Sequence, residues 1–263
     1  TFIEKHLVPM SAAIWSAREE VILRFPLRFL VQFFHNHGFL QLSDRPEWKV
    51  ISGGSRNYIE PLVEPFRDRI RLATPVTGIR RVGSDVHLTT RDGEFHIFDR
   101  VVLACHSDQS LKMLQDATPL ETEVLSAFAY QRNEATLHTD ESVMPKSRRA
   151  WASWNYHVLT EGPDLPVVTY WMNELQGLRA QKNYFVTLNR AQEVDPGQVI
   201  RQIIYHHPVY SHGAVAAQER HHEIDGVHGV HFCGAYWGYG FHEDGVKSGL
   251  RVARRIQELG CLA

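Results

Sequence analysis

Residues 231–256 read HFCGAYWGYGFHEDGVKSGLRVARRI. The stretch opens as a buried strand, passes through Gly234, Gly238 and Gly240 among Tyr236, Trp237, Tyr239 and Phe241, and closes as a basic helix starting near His242. A helix N-terminus presents unpaired N–H groups and a partial positive charge, which suits a phosphate or an electron-accepting ring. Glycine lets the backbone approach such a group closely. The same spacing also describes a plain strand–turn–helix closure in which glycine serves tight packing, so the pattern leaves both readings open. Val246, Leu250, Val252, Ala253 and Ile256 are the positions expected to face a core.

The rest of the chain narrows the choice. At 263 residues and 43% hydrophobic content it can bury a substantial core. Its formal charge of −2, without a long run of one sign, argues against nucleic acid as a partner. Cys105, Cys233 and Cys261 are far apart and form no CxxC pair, so neither a disulfide framework nor a cysteine-based zinc site is expected, and a reducing, cytoplasmic setting follows. The 16 histidines include the adjacent pairs His206-His207 and His221-His222, but no HExxH occurs and no metal site is expected. The opening TFIEKHLVPMSAAIWSAREE has no cationic region followed by an apolar core, so it is not a secretory signal. The greasiest stretch, FPLRFLVQFF at 25–34, is too short to span a bilayer and carries Arg28. It reads as a buried helix or the wall of an apolar cavity, with a membrane-surface patch as the other reading.

Organisation follows from periodicity. Residues 1–49 read as helices punctuated by Pro9, Pro26 and Pro46. Ser52-Gly53-Gly54-Ser55 stands like an N-cap before Tyr58, Ile59, Leu62, Val63 and Phe66 at helical spacing. Short strands follow at 74–79 and 85–90, and Asp92-Gly93 turns the chain into a returning strand at 94–98. Val101-Val102-Leu103-Ala104 is a continuous apolar strand of the kind buried on both faces of a sheet. The segments 150–156, 167–173 and 184–189 are β-prone and aromatic-rich, like neighbouring strands of a second, mostly antiparallel sheet. The chain therefore reads as two interleaved units, one of residues 50–115 plus 222–263, the other of residues 1–49 plus 116–221. The 76–98 meander is expected beside strands at 101–104 and 230–233.

The order GGS-x-x-Y, a PV strand, a DG hairpin, fD-x-VVLA and a final FCGA…GYGFHEDGVKSGLRVAR resembles the flavin-containing amine oxidase and phytoene desaturase superfamily. More narrowly, LVPMSAAIWS, FFHNHGFLQLSDRPEWKVISGGSRNYIE, LHTDESVMP, ASWNY and YWMNELQGL resemble the bacterial group of NAD/FAD-binding amine oxidoreductases. The resemblance implies an α/β (α+β) flavoprotein in which 50–115 and 222–263 belong to the FAD-binding domain. The segments 1–49 and 116–221 would form a substrate domain of antiparallel sheet plus helices. It implies that Val76 touches the adenine of FAD through its backbone, and that the strand end at Ala104 and Cys105 lies near the same half of the cofactor. Gly234 would pass beside the pyrophosphate and ribityl chain. Ala235 stands where relatives often carry an acidic or hydroxyl residue, which puts a side-chain role there in doubt. Phe241 stands where amine oxidases often carry a cage tyrosine, which weakens the case for an amine substrate. His242, Glu243, Gly245 and Val246 form the helix start whose N–H groups meet the flavin.

No G-x-G-x-x-G turn, which the superfamily uses to hold the FAD diphosphate, occurs in the chain. With the Met-less start, this leads to the expectation of an N-terminally truncated, inactive chain with an incomplete FAD-binding domain, or of a second chain supplying that half. The implied activity of the whole is removal of a hydride from a small or lipid-like apolar substrate. Trp151, Trp154, Tyr156, Tyr170, Trp171 and Phe241 are the candidate pocket residues, with ordinary sheet packing as the competing account. No catalytic acid or base stands out. A non-catalytic lipid- or protein-binding module on a degenerate flavoprotein fold is the alternative. Peripheral membrane contact and association through exposed strand edges stay open as partners.

Overall fold

The strand pattern of the sequence resolves into three separate sheets. A computed structural model describes residues 1–44, 46–47, 49–159 and 165–260, so Cys261 lies outside the described residues. The strands are β1 (Val76–Val82), β2 (Asp85–Thr90), β3 (Phe95–Phe98), β4 (Val101–Leu103), β5 (Ala129–His138), β6 (Trp154–His157), β7 (Val167–Trp171), β8 (Phe185–Leu188), β9 (Val199–Val209) and β10 (Val230–Phe232). The helices are α1 (Val8–Trp15), α2 (Glu19–Ile22), α3 (Leu27–Asn36), α4 (Ile59–Val63), α5 (Ser107–Met113), α6 (Pro119–Ser126), α7 (Met172–Gln176), α8 (His212–Glu219), α9 (His221–Ile224) and α10 (His242–Glu258). This mixture of helix and sheet is the α/β (α+β) class that the sequence implies.

Two compact units share the chain. One comprises Thr1–Phe25, Phe34–Asp68 and Tyr130–His207; the other comprises Pro26–Phe33, Arg69–Ala129 and Pro208–Ala263. Relative to the sequence texture, 26–33, 50–68, 116–129 and 208–221 lie in the opposite units. For 116–129 the reason is Arg81, whose side chain bonds Asp116 Oδ1 at 3.1 Å and Glu121, and whose backbone N–H donates to Asp116 Oδ2 at 2.8 Å. Glu121 is fully buried and also closes a capping box at the start of α6, accepting from the Thr118 N–H at 2.8 Å while its own N–H donates to Thr118 Oγ1 at 3.1 Å. A buried ion pair built into a cap binds 116–126 to the meander.

In the second unit β1, β2 and β3 form an antiparallel meander, with Gly83 and Gly93 turning at φ 62° and 89°. β4 and β10 pair in parallel as a two-stranded sheet, Val101 opposite Val230 and Leu103 opposite Phe232. The two strands thus share a sheet as expected, but the meander is a sheet of its own rather than their neighbour. At the strand entry the Val101 N–H donates to the Gly229 carbonyl at 2.9 Å, so that N–H is given to the β10 side and not to β3.

The first unit carries the five-stranded sheet β6-β7-β8-β5-β9. Its aromatic-rich strands are neighbours, with β6–β7 and β7–β8 antiparallel. One face buries a continuous side-chain chain across four strands. His138 Nε2 lies 2.8 Å from Thr187 Oγ1, which lies 2.9 Å from Thr169 Oγ1, which lies 3.0 Å from His157 Nε2. The Asp140 N–H donates to His138 Nδ1 at 3.1 Å, so neutral His138 carries its proton on Nε2 and donates to Thr187. Burial holds both histidines below their ordinary pKa, with the nearby Arg190 guanidinium adding to the effect at His157.

Two helix expectations need correction. Around 52–69 no serine side chain caps the run; Gly54 at φ 94° precedes a 3₁₀ turn at Ser55–Tyr58, and Tyr58, Ile59, Leu62 and Phe66 are exposed. The helical path breaks at Phe66, where φ is −139°, so the apolar spacing never forms one continuous stripe. In α10, Ser248 and Val252 take the buried stripe at i, i+4. Ile256 is half-buried, while Val246 (57% exposed), Leu250 (50%) and Ala253 turn outward on the adjacent stripe.

Candidate functional site

Every cofactor-contact candidate of the sequence, from Val76 and Ala104 to Gly234, Ala235, Phe241, His242, Glu243, Gly245 and Val246, falls in the second unit. Val76 opens β1 in the meander sheet, while Ala104 follows β4 and Gly234 follows β10. The ends of β4 and β10 are adjacent: the Cys233 N–H donates to the Leu103 carbonyl at 3.0 Å. Burial raises the Cys105 thiol, and raises that of Cys233 to about 11, so both are protonated side chains filling the sheet end.

Beyond Gly234 the chain makes a 3₁₀ turn at Ala235–Trp237, runs through Gly238 and Gly240, and enters the 17-residue helix α10. Asp244 fastens that entry. Its N–H donates to the Phe241 carbonyl at 3.0 Å and its carboxylate accepts from the Phe241 N–H at 3.0 Å. The Gly245 N–H also donates to the Phe241 carbonyl, at 3.1 Å, so Asp244 and Gly245 both close the first turn on Phe241.

The glycines divide into two kinds. A Cβ on Gly234 would lie 2.6 Å from Cε1 of Tyr236 and 3.3 Å from the Cys105 carbonyl oxygen. A Cβ on Gly240, at φ 94°, would lie 2.7 Å from the Tyr210 hydroxyl. A Cβ on Gly245 meets nothing within 4 Å. The first two glycines are required by the protein's own aromatics; the third faces open space at the first turn of a long helix.

The aromatics of the turn are assembled with help from a distant segment. Phe29 and Phe33 of α3 stand one turn apart on one face of that helix. Phe29 stacks on Tyr210 with centroids 4.7 Å apart and lies 4.7 Å from Tyr239. Phe33 stacks on Phe241 at 5.5 Å and lies 5.5 Å from Tyr239. Burial, with the Asp244 carboxylate adding to it, raises the Tyr239 phenol above its ordinary value, so it is a neutral wall of this cluster. The sequence marked 25–34 as apolar without assigning it this contact; the i, i+4 spacing of Phe29 and Phe33 was the available signal.

The pocket candidates of the first unit do not gather on one surface. Trp154 pairs with Tyr170 across β6 and β7 at 5.1 Å in a T-shaped contact, and the Tyr156 hydroxyl donates to Glu19 at 2.8 Å. Trp171 points from the other face of β7, where it meets Trp151 at 5.3 Å beneath the Arg148 guanidinium, 4.0 Å from the Trp151 ring. The indole N–H groups of Trp151 and Trp171 donate to the Pro145 carbonyl and to Asn183 at 2.8 and 2.9 Å. Burial raises the Tyr170 phenol to about 12. Phe241 belongs to the other unit. Among the described residues no group of three or more His, Cys, Asp or Glu side chains could hold a metal ion, and no helix is long and apolar enough to cross a membrane.

The second unit thus carries a strand ending on glycine, an aromatic turn and a long helix whose Gly245 faces open space, and the first unit carries a separate antiparallel sheet. The chain belongs to the flavin containing amine oxidoreductase family, which matches residues 11–173. FAD is the cofactor of that family. Among solved structures the chain is similar to the CLA-producing fatty acid isomerase from P. acnes, at 16% identity and a TM-score of 0.62, covering 92% of this chain and 60% of that one. It is similar also to cyclohexylamine oxidase from Brevibacterium oxydans IH-35A, at 14% identity and a TM-score of 0.64, covering 97% and 64%. A putrescine oxidase with bound putrescine matches at 11% identity and a TM-score of 0.53, covering 79% and 53%. The chain therefore spans about 53–64% of the length of these structures. No curated protein matches it in sequence.

Proposed function

We propose that this chain is part of an FAD-dependent oxidoreductase that removes a hydride from a small or lipid-like apolar substrate, with the second unit holding the flavin. The observation that carries the reading is Gly245: at the first turn of α10 a Cβ would meet nothing within 4 Å, so the helix start is open to a planar group. The residues present fit a flavin there. His242 and Glu243 supply first-turn N–H groups at the positive end of a 17-residue helix, where negative charge on a bound ring is stabilised. Bound FAD supplies the acceptor for the hydride, so the chain needs no strong acid or base of its own. Its residues orient and exclude water: Phe241, stacked on Phe33, presents an apolar edge beside the helix start.

The apolar substrate class draws on three further supports. Phe241 replaces the tyrosine expected of an amine cage. The aromatic cluster Phe29, Phe33, Tyr239 and Phe241 is uncharged. The fatty acid isomerase, similar in fold, acts on a fatty acid by its name. The test is flavin content by visible absorbance of the purified protein, with Gly245→Val beside the parent. Loss of flavin with unchanged circular dichroism supports the site. A fully flavin-loaded, folded Gly245→Val protein overturns it.

A further inference from the structure

We propose that Ser248 and Gln218 are positioning residues for the flavin, acting through the turn 234–245 without touching the cofactor; the inference rests on the placement of the flavin at that turn. Ser248 lies in the second turn of α10 and is buried. Its hydroxyl accepts from the Gly234 N–H at 2.8 Å and donates to the Gly245 carbonyl at 2.9 Å. One hydroxyl thus ties the end of β10 to the first turn of the helix, the two backbone segments between which the turn is strung. Because the Gly234 N–H is taken, the strand end cannot offer it to a ligand; what Gly234 contributes is a fixed position. Gln218 on α8 holds the middle of the turn. Its amide Nε2 donates to the Tyr236 carbonyl at 2.9 Å and to the Gly238 carbonyl at 2.6 Å, using both of its N–H bonds.

The turn's own backbone bonds are few: the N–H groups of Trp237, Gly238 and Gly240 donate to the carbonyls of Gly234 and Ala235 at 3.3, 3.0 and 3.1 Å. They close the 3₁₀ segment but do not connect it to α10. Ser248 ties Gly234, the residue just before that segment, to α10, and Gln218 bonds the carbonyls of 236 and 238. A ring bound against His242 and Glu243 has its height above the strand end determined by Ser248. Loosening the tie lets the helix start drift relative to Gly234, which weakens binding and changes the electrostatic environment of the ring while leaving the core of the unit in place.

The experiment compares Ser248→Ala, Gln218→Met and Gly245→Val in the flavin-loaded protein. FAD dissociation is measured by fluorescence titration, the bound flavin by its visible circular dichroism, and folding by thermal melting of the far-ultraviolet signal. Ser248→Ala and Gln218→Met are each expected to raise the FAD dissociation constant about tenfold, the scale of one lost hydrogen bond, and to alter the visible flavin signal beyond what the measured loss of folded protein accounts for. Gly245→Val reports on the flavin site itself. If it abolishes binding while both other variants bind FAD with unchanged affinity and spectrum, the positioning role is overturned and the flavin site stands. If binding in Ser248→Ala and Gln218→Met falls only in proportion to lost folded protein, the residues are structural and the inference is again overturned. If Gly245→Val binds FAD normally, the site and the inference fall together.

Discussion

Gly234 and Tyr236 are locked against each other: a Cβ on the glycine would stand 2.6 Å from the tyrosine ring, inside any tolerated contact. The glycine that looked poised for a ligand is first of all a seat for a buried aromatic. Gly234→Val should therefore destabilise the protein by about 1–3 kcal/mol through overpacking. Gly245→Val should leave stability unchanged or slightly raised, since valine is no worse a helix residue than glycine. Denaturant titrations of the two variants beside flavin absorbance check the contrast. Equal destabilisation of both would contradict it.

Removing Arg81 should be severe. Its side chain is 9% exposed and bonds Glu121, whose side chain is 1% exposed. Arg81→Met strands a buried carboxylate, at a cost of about 3–5 kcal/mol. Arg81→Met combined with Glu121→Gln should recover part of that loss, because the uncompensated charge is gone. Chemical denaturation of the single and double variants measures both numbers.

The hydroxyl chain across the first unit's sheet should behave as one object. Thr187→Val removes the link between His138 and Thr169 and leaves buried donors unpaired, costing about 1–3 kcal/mol. Thr169→Val breaks the same chain one link further on. The double variant should cost less than the two singles added together, since the second loss removes a partner already orphaned. A strictly additive cycle would show that the two hydroxyls act independently.

Acidification should weaken the fold in the range just below pH 6.5. His138, His157 and His221 all have pKa values lowered from 6.5, with burial the largest cause in each. Lowered folded values mean that the unfolded chain binds these protons first. The stability they contribute is complete above pH 6.5 and is lost progressively as pH falls toward their folded values. His221 is an informative case: its Nε2 lies 2.7 Å from the Phe232 carbonyl and its ring packs on Trp237 at 4.6 Å. His221→Gln should flatten part of the pH dependence of the unfolding midpoint; an unchanged slope would remove His221 from the account.

Sequence reading reached the local geometry and missed the distant contacts. Alternation around Asp92-Gly93 and the apolar run at 101–103 carried the meander and the strand that pairs with 230–232, because side-chain period and turn chemistry are written locally. The outward turn of Val246 and Leu250 was not legible: α10 offers two adjacent stripes, and packing against the Ala235–Trp237 turn together with the Ser248 bond to Gly234 decides which is buried. The candidate pocket residues of the first unit divide between two faces for a related reason. Trp154, Tyr170 and Trp171 share a composition, but the period of two sends Trp171 to the opposite face. Phe29 and Phe33 meet the C-terminal turn across a long stretch of chain, a contact that no local pattern announces.

The open side of the β4–β10 sheet predicts self-association. Among the described residues β4 has one neighbour, and Val102 within it is 42% exposed. With Val246 and Leu250 also outward, an unpaired strand edge lies in the same unit as apolar surface. Light scattering at rising concentration should show oligomers, and Leu250→Lys should reduce them. A strictly monomeric protein at high concentration would contradict this.

Val101 pairs with Val230, 129 residues further along the chain. That separation has a consequence in time. During synthesis β4 leaves the ribosome long before its partner exists, and closing so large a loop is entropically slow. The meander and the capped α6 involve near neighbours and can form first. The β10 strand, with the glycine turn and α10 behind it, docks last. Its arrival should appear as a distinct slow refolding phase, abolished when the chain is cut before residue 230.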